Sequence, residues 1–266
     1  MKRRRLDEEL VAQGICPDSD DALRICMAGL VSYRGERLTS PAVKVPVDAE
    51  LHVKNRIPYV GRGGFKLAGA LDAFGVDPSG LRCLDIGCST GGFTDCLLQR
   101  GAARVLSVDV GRAQFDWRLR NDARVTLLER TNIVSVPEMG YAGTIDLAVC
   151  DVSFTSISVI LPATIELLGP RGRFVTLVKP QFEARPEEVG EGGVVSDPAV
   201  HARVLRQAIR LFDDSGLDPF DICASPIKGA KGNREFFLYG IKRMADEAPS
   251  VPSDHVERLI ARAGAL

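Results

Sequence analysis

The chain has 266 residues, enough for one large domain or for a medium domain with a small companion. Hydrophobic residues make up 45% and charged residues 26%, so a packed, soluble core is expected. The net charge of −1 favours no class of partner, and no apolar run approaches the roughly 18 residues that a spanning helix needs. The opening "MKRRRLDEELV" is basic but lacks an apolar stretch behind it, which argues against a secretory signal and for a cytoplasmic protein. Seven cysteines are scattered without a CxxC pair, and the three histidines are far apart. A disulfide framework and a metal site are therefore not expected.

In chain order, the first 30 residues read as two short helices. "RLDEELVAQG" puts Leu6, Leu10 and Val11 on one face and stops at Gly14. "SDDALRICMAG" starts with Ser19 as N-cap, has two aspartates in its first turn and stops at Gly29. Short β-like pieces follow in "LVSYRGERL" and "AVKVPVDAELHV". Residues 1–66 hold 12 Lys/Arg against 9 Asp/Glu, a weak basic bias that permits an RNA-facing module. "KNRIPYVGRGG", with one proline and three glycines, reads as a linker.

The pattern then changes. A helix in "FKLAGALDAFG" leads into apolar strands at 81–86, 104–109, 145–150 and 173–179, with helices at about 92–100, 155–168 and 198–215. Such alternation, with strands apolar on both faces, predicts an α/β fold with a doubly wound, mostly parallel sheet. Strands at about 219–224 and 234–241 lack a helix between them and predict an antiparallel hairpin at the sheet edge. The tail starts polar and proline-rich and ends in a short amphipathic helix with Val256, Leu259 and Ile260.

Ligands of open α/β sheets sit beyond the carboxyl ends of the strands. "LDIGCSTGG" is such an end: Asp85 closes the strand, and Gly87, Gly91 and Gly92 let a ligand approach the backbone. It is neither GxGxxG nor a P-loop. A second acid, Asp109, ends the next strand in "VLSVDVG", where related sites bind ribose hydroxyls. An acid, a glycine turn and a second acid suit S-adenosylmethionine, which carries a ribose and a sulfonium but no phosphate. Farther on, "LAVCDVSF" ends an apolar strand in Asp151 and "FVTLVKPQFE" ends another in Lys179. An acid and an amine at two strand ends of one sheet converge over a bound cofactor. Lys66 and Glu235 are candidates to complete the cluster, although spacing alone does not place them.

At this point the chain resembles the TlyA (hemolysin-A type) ribosomal RNA 2′-O-methyltransferases, relatives of the FtsJ-type enzymes. The matching stretches are "GRGGFKL", "LDIGCSTGGFTDCLLQRGA", "VDVG", "ERTN", "DVSFTSISVILP", "LVKPQFE", "GGVV" and "GNREFFLY", in the family's order. The resemblance implies a Rossmann-like methyltransferase domain at 65–245, behind a small α+β RNA-binding domain of ribosomal-protein-S-four type at 1–58 and a linker at 59–64. The tail is 246–266. It implies a catalytic tetrad of Lys66, Asp151, Lys179 and Glu235. Cofactor contacts are implied at Asp85, Gly87, Ser89, Thr90, Gly91, Gly92, Phe93, Asp109 and, on the adenine side, Asn132. The substrate implied is ribosomal RNA within ribosomal subunits, methylated on a cytidine ribose, with no membrane partner. Arg3, Arg4, Arg5, Arg34, Arg37 and Arg62 are the expected RNA contacts. The chain departs from the family at Gly61, where Ser is common, at Asp20, where Arg is usual, and at "YRG" around Arg34.

In this reading Lys179 lies nearest the hydroxyl, as base or as stabiliser of the forming alkoxide, and Asp151 orients it. The segment "RPEEVGEGGVVSDP" is expected to be a mobile lid that orders on RNA. The rival readings are a non-catalytic RNA-binding or ribosome-assembly factor, a membrane-active hemolysin and a small-molecule methyltransferase.

Overall fold

Short, weakly apolar segments at the start of the chain and long apolar ones after it give two compact units, Met1–Pro58 and Tyr59–Leu266. The structure is a computed structural model describing residues 2–264 except 17, 55–57, 113, 230, 245 and 248–251. Parts of the expected linker (55–57) and tail (248–251, 265–266) thus lie outside the described residues.

The N-terminal unit runs β1 (Arg3–Arg5), α1 (Leu6–Ala12), α2 (Ser19–Met27), β2 (Val31–Tyr33), β3 (Glu36–Leu38), β4 (Lys44–Pro46) and β5 (Leu51–Val53). β1 pairs antiparallel with β4, and β2 lies between β3 and β5 in a second antiparallel sheet. Leu6 and Leu10 from α1 meet Ala22 and Cys26 from α2 and Val31, Val45 and Leu51 from the strands in one apolar core. The cap of α2 differs from expectation. Asp18, not Ser19, is the N-cap, and its carboxylate accepts the Asp21 amide at 2.8 Å. An aspartate one residue earlier takes the orphan amide, so Ser19 becomes the first helical residue.

The larger unit runs α3 (Gly63–Phe74), β6 (Arg82–Ile86), α4 (Gly92–Gln99), β7 (Arg104–Val108), α5 (Trp117–Arg120), β8 (Val125–Leu128), β9 (Ile145–Cys150), α6 (Ile157–Leu167), β10 (Leu168–Val178), α7 (Pro180–Glu183), α8 (Pro198–Asp214), β11 (Leu217–Ala224), β12 (Phe236–Lys242) and α9 (Ser253–Arg262). Its seven-stranded sheet has the order β11-β12-β10-β9-β6-β7-β8. The strands from β10 to β8 are parallel, and β12 alone runs against its neighbours. Alternate strand residues face opposite layers. Leu84, Ala148 and Phe174 pack with α6, α8 and α9, whereas Cys83, Leu147 and Val175 pack with α3 and α4. Both faces are covered, which is the doubly wound arrangement.

Two features of this topology position the site. The carboxyl ends of β6, β7, β9 and β10 line up on one rim. Because β12 is antiparallel, its start meets the end of β10, with Val178 opposite Phe236. Glu235, just before β12, is thereby brought to the same rim as Lys179. Among the described residues no helix is long and apolar enough to cross a membrane.

Candidate active site

The turn after β6 is built so that backbone can approach backbone. Gly87 (φ +79°) donates to the Val108 carbonyl at 2.8 Å, and a Cβ there would lie 2.9 Å from the Asp151 carbonyl oxygen. Gly92 opens α4, where a Cβ would meet the Gly64 amide at 3.0 Å. Any side chain at either position would force these segments apart. Asp109 ties the turn to the end of β7: its carboxylate accepts the Ser89 amide at 2.8 Å and the Gly111 amide at 2.7 Å.

Below the turn, Asp85 is wholly buried. Its Oδ2 accepts a hydrogen bond from the Thr94 hydroxyl at 2.6 Å, and Thr94 is in turn 2.7 Å from Ser107 Oγ. Its Oδ1 has no hydrogen-bond partner among the described residues. Burial pushes the carboxyl up to about 7; the Thr94 bond opposes that shift, and the nearby Asp151 and Asp109 carboxylates add to it. Asp85, expected among the cofactor contacts, thus belongs to the floor beneath the turn and not to the cavity lining.

Two cavities meet over the turn. One, of about 450 Å³, is lined by Lys66, Ser89, Thr90, Phe93, Asp151, Lys179 and Glu235, among others. The other, of about 470 Å³, is lined by Asp109, Asn132, Ile133 and Ile160, and shares Gly87, Ser89, Asp151, Ser153 and Phe154 with the first. Asn132 caps a 3₁₀ turn, its Oδ1 accepting the Val134 amide at 3.1 Å.

The first cavity holds two lysine–carboxylate pairs. Lys179 Nζ lies 2.5 Å from Asp151 Oδ1 and donates to Ser153 Oγ at 2.9 Å. Lys66 Nζ lies 2.6 Å from Glu235 Oε2, whose other oxygen accepts from Gln181 at 3.3 Å. Lys179 and Glu235 are buried, and Lys66 reaches in from the first turn of α3. Four chain segments thus deliver four charged groups to one enclosure, where low dielectric strengthens each pair.

The expected tetrad is therefore brought together. Gly87, Ser89, Thr90, Gly92 and Phe93 line the first cavity, and Asp109 and Asn132 the second. Gly91 lines neither; its positive φ (+97°) makes it the N-cap of α4. Sequence reasoning missed Ser153, Gln181 and Phe154. Ser153 and Gln181 each lie two residues beyond a tetrad member, so proximity in the chain was the available signal. Phe154 carried none: it is 90% exposed at a left-handed φ of +63°, its ring 5.0 Å from that of Phe182.

The expected RNA-contacting arginines of the N-terminal unit are largely engaged within it. Arg3 donates to the Lys44 carbonyl, Arg4 pairs with Glu9 at 2.8 Å, and Arg5 pairs with Asp7 at 2.7 Å. Arg37 donates to the Ala28 and Gly29 carbonyls at the end of α2. Arg34 lies over the Tyr33 ring, and Arg62, in the larger unit, is exposed. The segment expected as a lid makes contacts of its own. Gly190 donates to the Val194 carbonyl at 2.9 Å, Val195 donates to Asn233 Oδ1 at 3.0 Å, and Glu188 pairs with Arg203.

Comparison with known proteins gives a consistent result. The family described as FtsJ-like methyltransferase matches residues 59–242. The chain is 41% identical, over 98% of both proteins, to the 16S/23S rRNA (cytidine-2′-O)-methyltransferase TlyA of Mycobacterium tuberculosis. It is 42% identical to YqxC of Bacillus subtilis, described as a candidate rRNA methyltransferase, over 98% of this chain and 94% of that one. A solved structure from Streptococcus thermophilus, described as a candidate hemolysin, is similar with a TM-score of 0.71 and 38% identity, covering 99% of this chain and 96% of the other.

Proposed function

We infer that this chain, which belongs to the FtsJ-like methyltransferase family, methylates the 2′-hydroxyl of a cytidine ribose in ribosomal RNA. Its methyl donor is S-adenosylmethionine. The observation that carries the reading is the meeting of Lys66–Glu235 and Lys179–Asp151 in one cavity beside the glycine turn. The residues present fit the donor. The turn that lines both cavities is closed against the Asp151 backbone at Gly87, and the Asp109 carboxylate that lines the second cavity suits a ribose rather than a phosphate. Gly87, Ser89 and Thr90 would hold the amino-acid end, Asp109 the ribose, and Asn132 and Ile133 the base.

Bound S-adenosylmethionine supplies a methyl group already activated by its sulfonium. The chain's residues supply position and charge. Lys179, fixed by Asp151 and Ser153, holds the ribose hydroxyl and stabilises the negative charge that grows on its oxygen as the proton passes to water. Lys66 and Glu235, steadied by Gln181, hold the ribose and complete the hydrogen-bond network around it. Phe154 offers an exposed ring face at the mouth against which a base can stack.

The N-terminal unit, residues 1–58, is in this reading an RNA-binding domain of S-four type, joined through 59–64 to a methyltransferase domain at 65–245. Its support is the family resemblance and the exposed Arg3, Arg5, Arg34 and Arg37. With a ribosomal substrate, the protein acts in the cytoplasm on ribosomal subunits.

The test is transfer of labelled methyl groups to each purified ribosomal subunit, with the product mapped by mass spectrometry. A single 2′-O-methylcytidine on either subunit is the expected result. Transfer to a base atom, or to neither subunit, would overturn the reading.

A further inference from the structure

The connection between β11 and β12, residues 225–235, carries three cations, Lys228, Lys231 and Arg234, and one acid, Glu235, which pairs with Lys66. All three are exposed, but only Lys231 lines the catalytic cavity. It sits on a tight turn closed by the Gly229 amide on the Asn233 carbonyl (3.0 Å) and the Gly232 amide on the Gly229 carbonyl (2.9 Å). The turn is anchored from below. The buried Asn233 donates to the Gly193 carbonyl at 2.9 Å and accepts the Val195 amide at 3.0 Å. The Lys231 side chain crosses Gly193, its Nζ 3.5 Å from where a Cβ on that glycine would stand.

The cavity's charges leave Lys231 over. Of its three lining lysines, Lys66 has Glu235 and Lys179 has Asp151, whereas Lys231 makes no ion pair among the described residues. It lines the same cavity in which the substrate must lie. An unpaired cation held at the wall of such a cavity favours an anion from the ligand.

We propose that Lys231 binds a phosphodiester of the RNA beside the ribose being methylated, as a positioning residue for the target nucleotide. This rests on the function proposed above. Lysine suits the task as a compact charge on a flexible stem, and a phosphate contact fixes register without reading sequence. The donor's carboxylate is the competing anion, and the experiment separates the two.

The full-length protein and its Lys231→Ala, Lys231→Arg and Lys231→Glu variants are assayed for donor affinity by calorimetry. They are also assayed for methyl transfer to the ribosomal subunit at salt concentrations between about 50 and 200 mM. Lys231→Ala raises the KM for RNA about three- to tenfold and flattens the log KM against log salt plot by about 0.7–0.9. Lys231→Arg restores most of both, Lys231→Glu loses more, and donor affinity stays as in the wild type. An unaltered KM and salt slope in both the Ala and Glu variants would overturn the proposal. So would a loss confined to donor affinity, which would assign Lys231 to the donor's carboxylate. Failure of the wild type to methylate either subunit would instead bring down the function itself, and this proposal with it.

Discussion

Glu9 in the N-terminal unit and Asp85 under the glycine turn are both wholly buried carboxyl groups, and their surroundings drive them in opposite directions. Burial alone would raise Glu9, but hydrogen bonds from Gln13 and the Asp48 amide and the Arg4 charge outweigh it and hold the group below the usual range. Burial raises Asp85 to about 7, because the Thr94 hydroxyl and backbone oppose it only in part and the Asp151 and Asp109 carboxylates add to it. The contrast extends to the regions around them. In the N-terminal unit, Arg4, Arg5, Asp7 and Glu9 satisfy one another and fasten the start of α1. At the rim of the large sheet, Lys66, Asp151, Lys179 and Glu235 pair across a cavity and face it together. Charge in a sequence marks a site only when burial and topology leave it facing shared space.

The contrast is sharpened most by Lys179→Ala. We expect methyl transfer to fall by about 10³-fold or more while donor affinity is retained, measured by single-turnover labelling and calorimetry. Turnover near wild type would erase the distinction between the regions. Glu235→Gln keeps the shape and the Gln181 contact but removes the partner of Lys66, and should cost about 10²-fold in transfer. On the other side, Glu9→Ala strands Arg4 and the Asp48 amide. It should destabilise the N-terminal unit by about 2–3 kcal/mol, seen as lost hydrogen-exchange protection confined to that unit.

Titration separates the two carboxyls by sign. The folded pKa of Asp85 is raised, so the folded state holds the extra proton and stability declines as pH rises from about 4 to about 7, then levels. Asp85→Asn should abolish that decline in melting scans. Glu9 is lowered, so its contribution is present above its unfolded pKa near 4.3 and lost as pH falls through the lower folded value. The smallest effect is expected for Arg5→Ala. Its guanidinium is nearly half exposed and screened by solvent, and loss of the Asp7 pair should leave the melting temperature nearly unchanged.

The sheet was legible because its parallel strands are continuous apolar runs, buried on both faces. β8 was not, since Val125–Leu128 is a short strand at the sheet edge, partly exposed, with a threonine facing out. The start of β10 was hidden by the bulge at 169–172, where "GPRG" reads as a turn. Asp151 and Lys179 stood out as polar residues ending apolar strands. The Lys66–Glu235 pair did not, because 169 residues separate the partners and only the reversed direction of β12 joins them. The engagement of Arg37 with the end of α2 was equally invisible, since a helix carbonyl leaves no mark on a distant arginine.

The central claim is that the two lysine–carboxylate pairs act on one substrate group. A double-mutant cycle of the single-turnover rate over Lys66→Ala and Lys179→Ala tests it most directly. If both lysines serve the same hydroxyl, the double variant should lose little more than the worse single one. If the two losses multiply in full, the pairs work independently and the account fails.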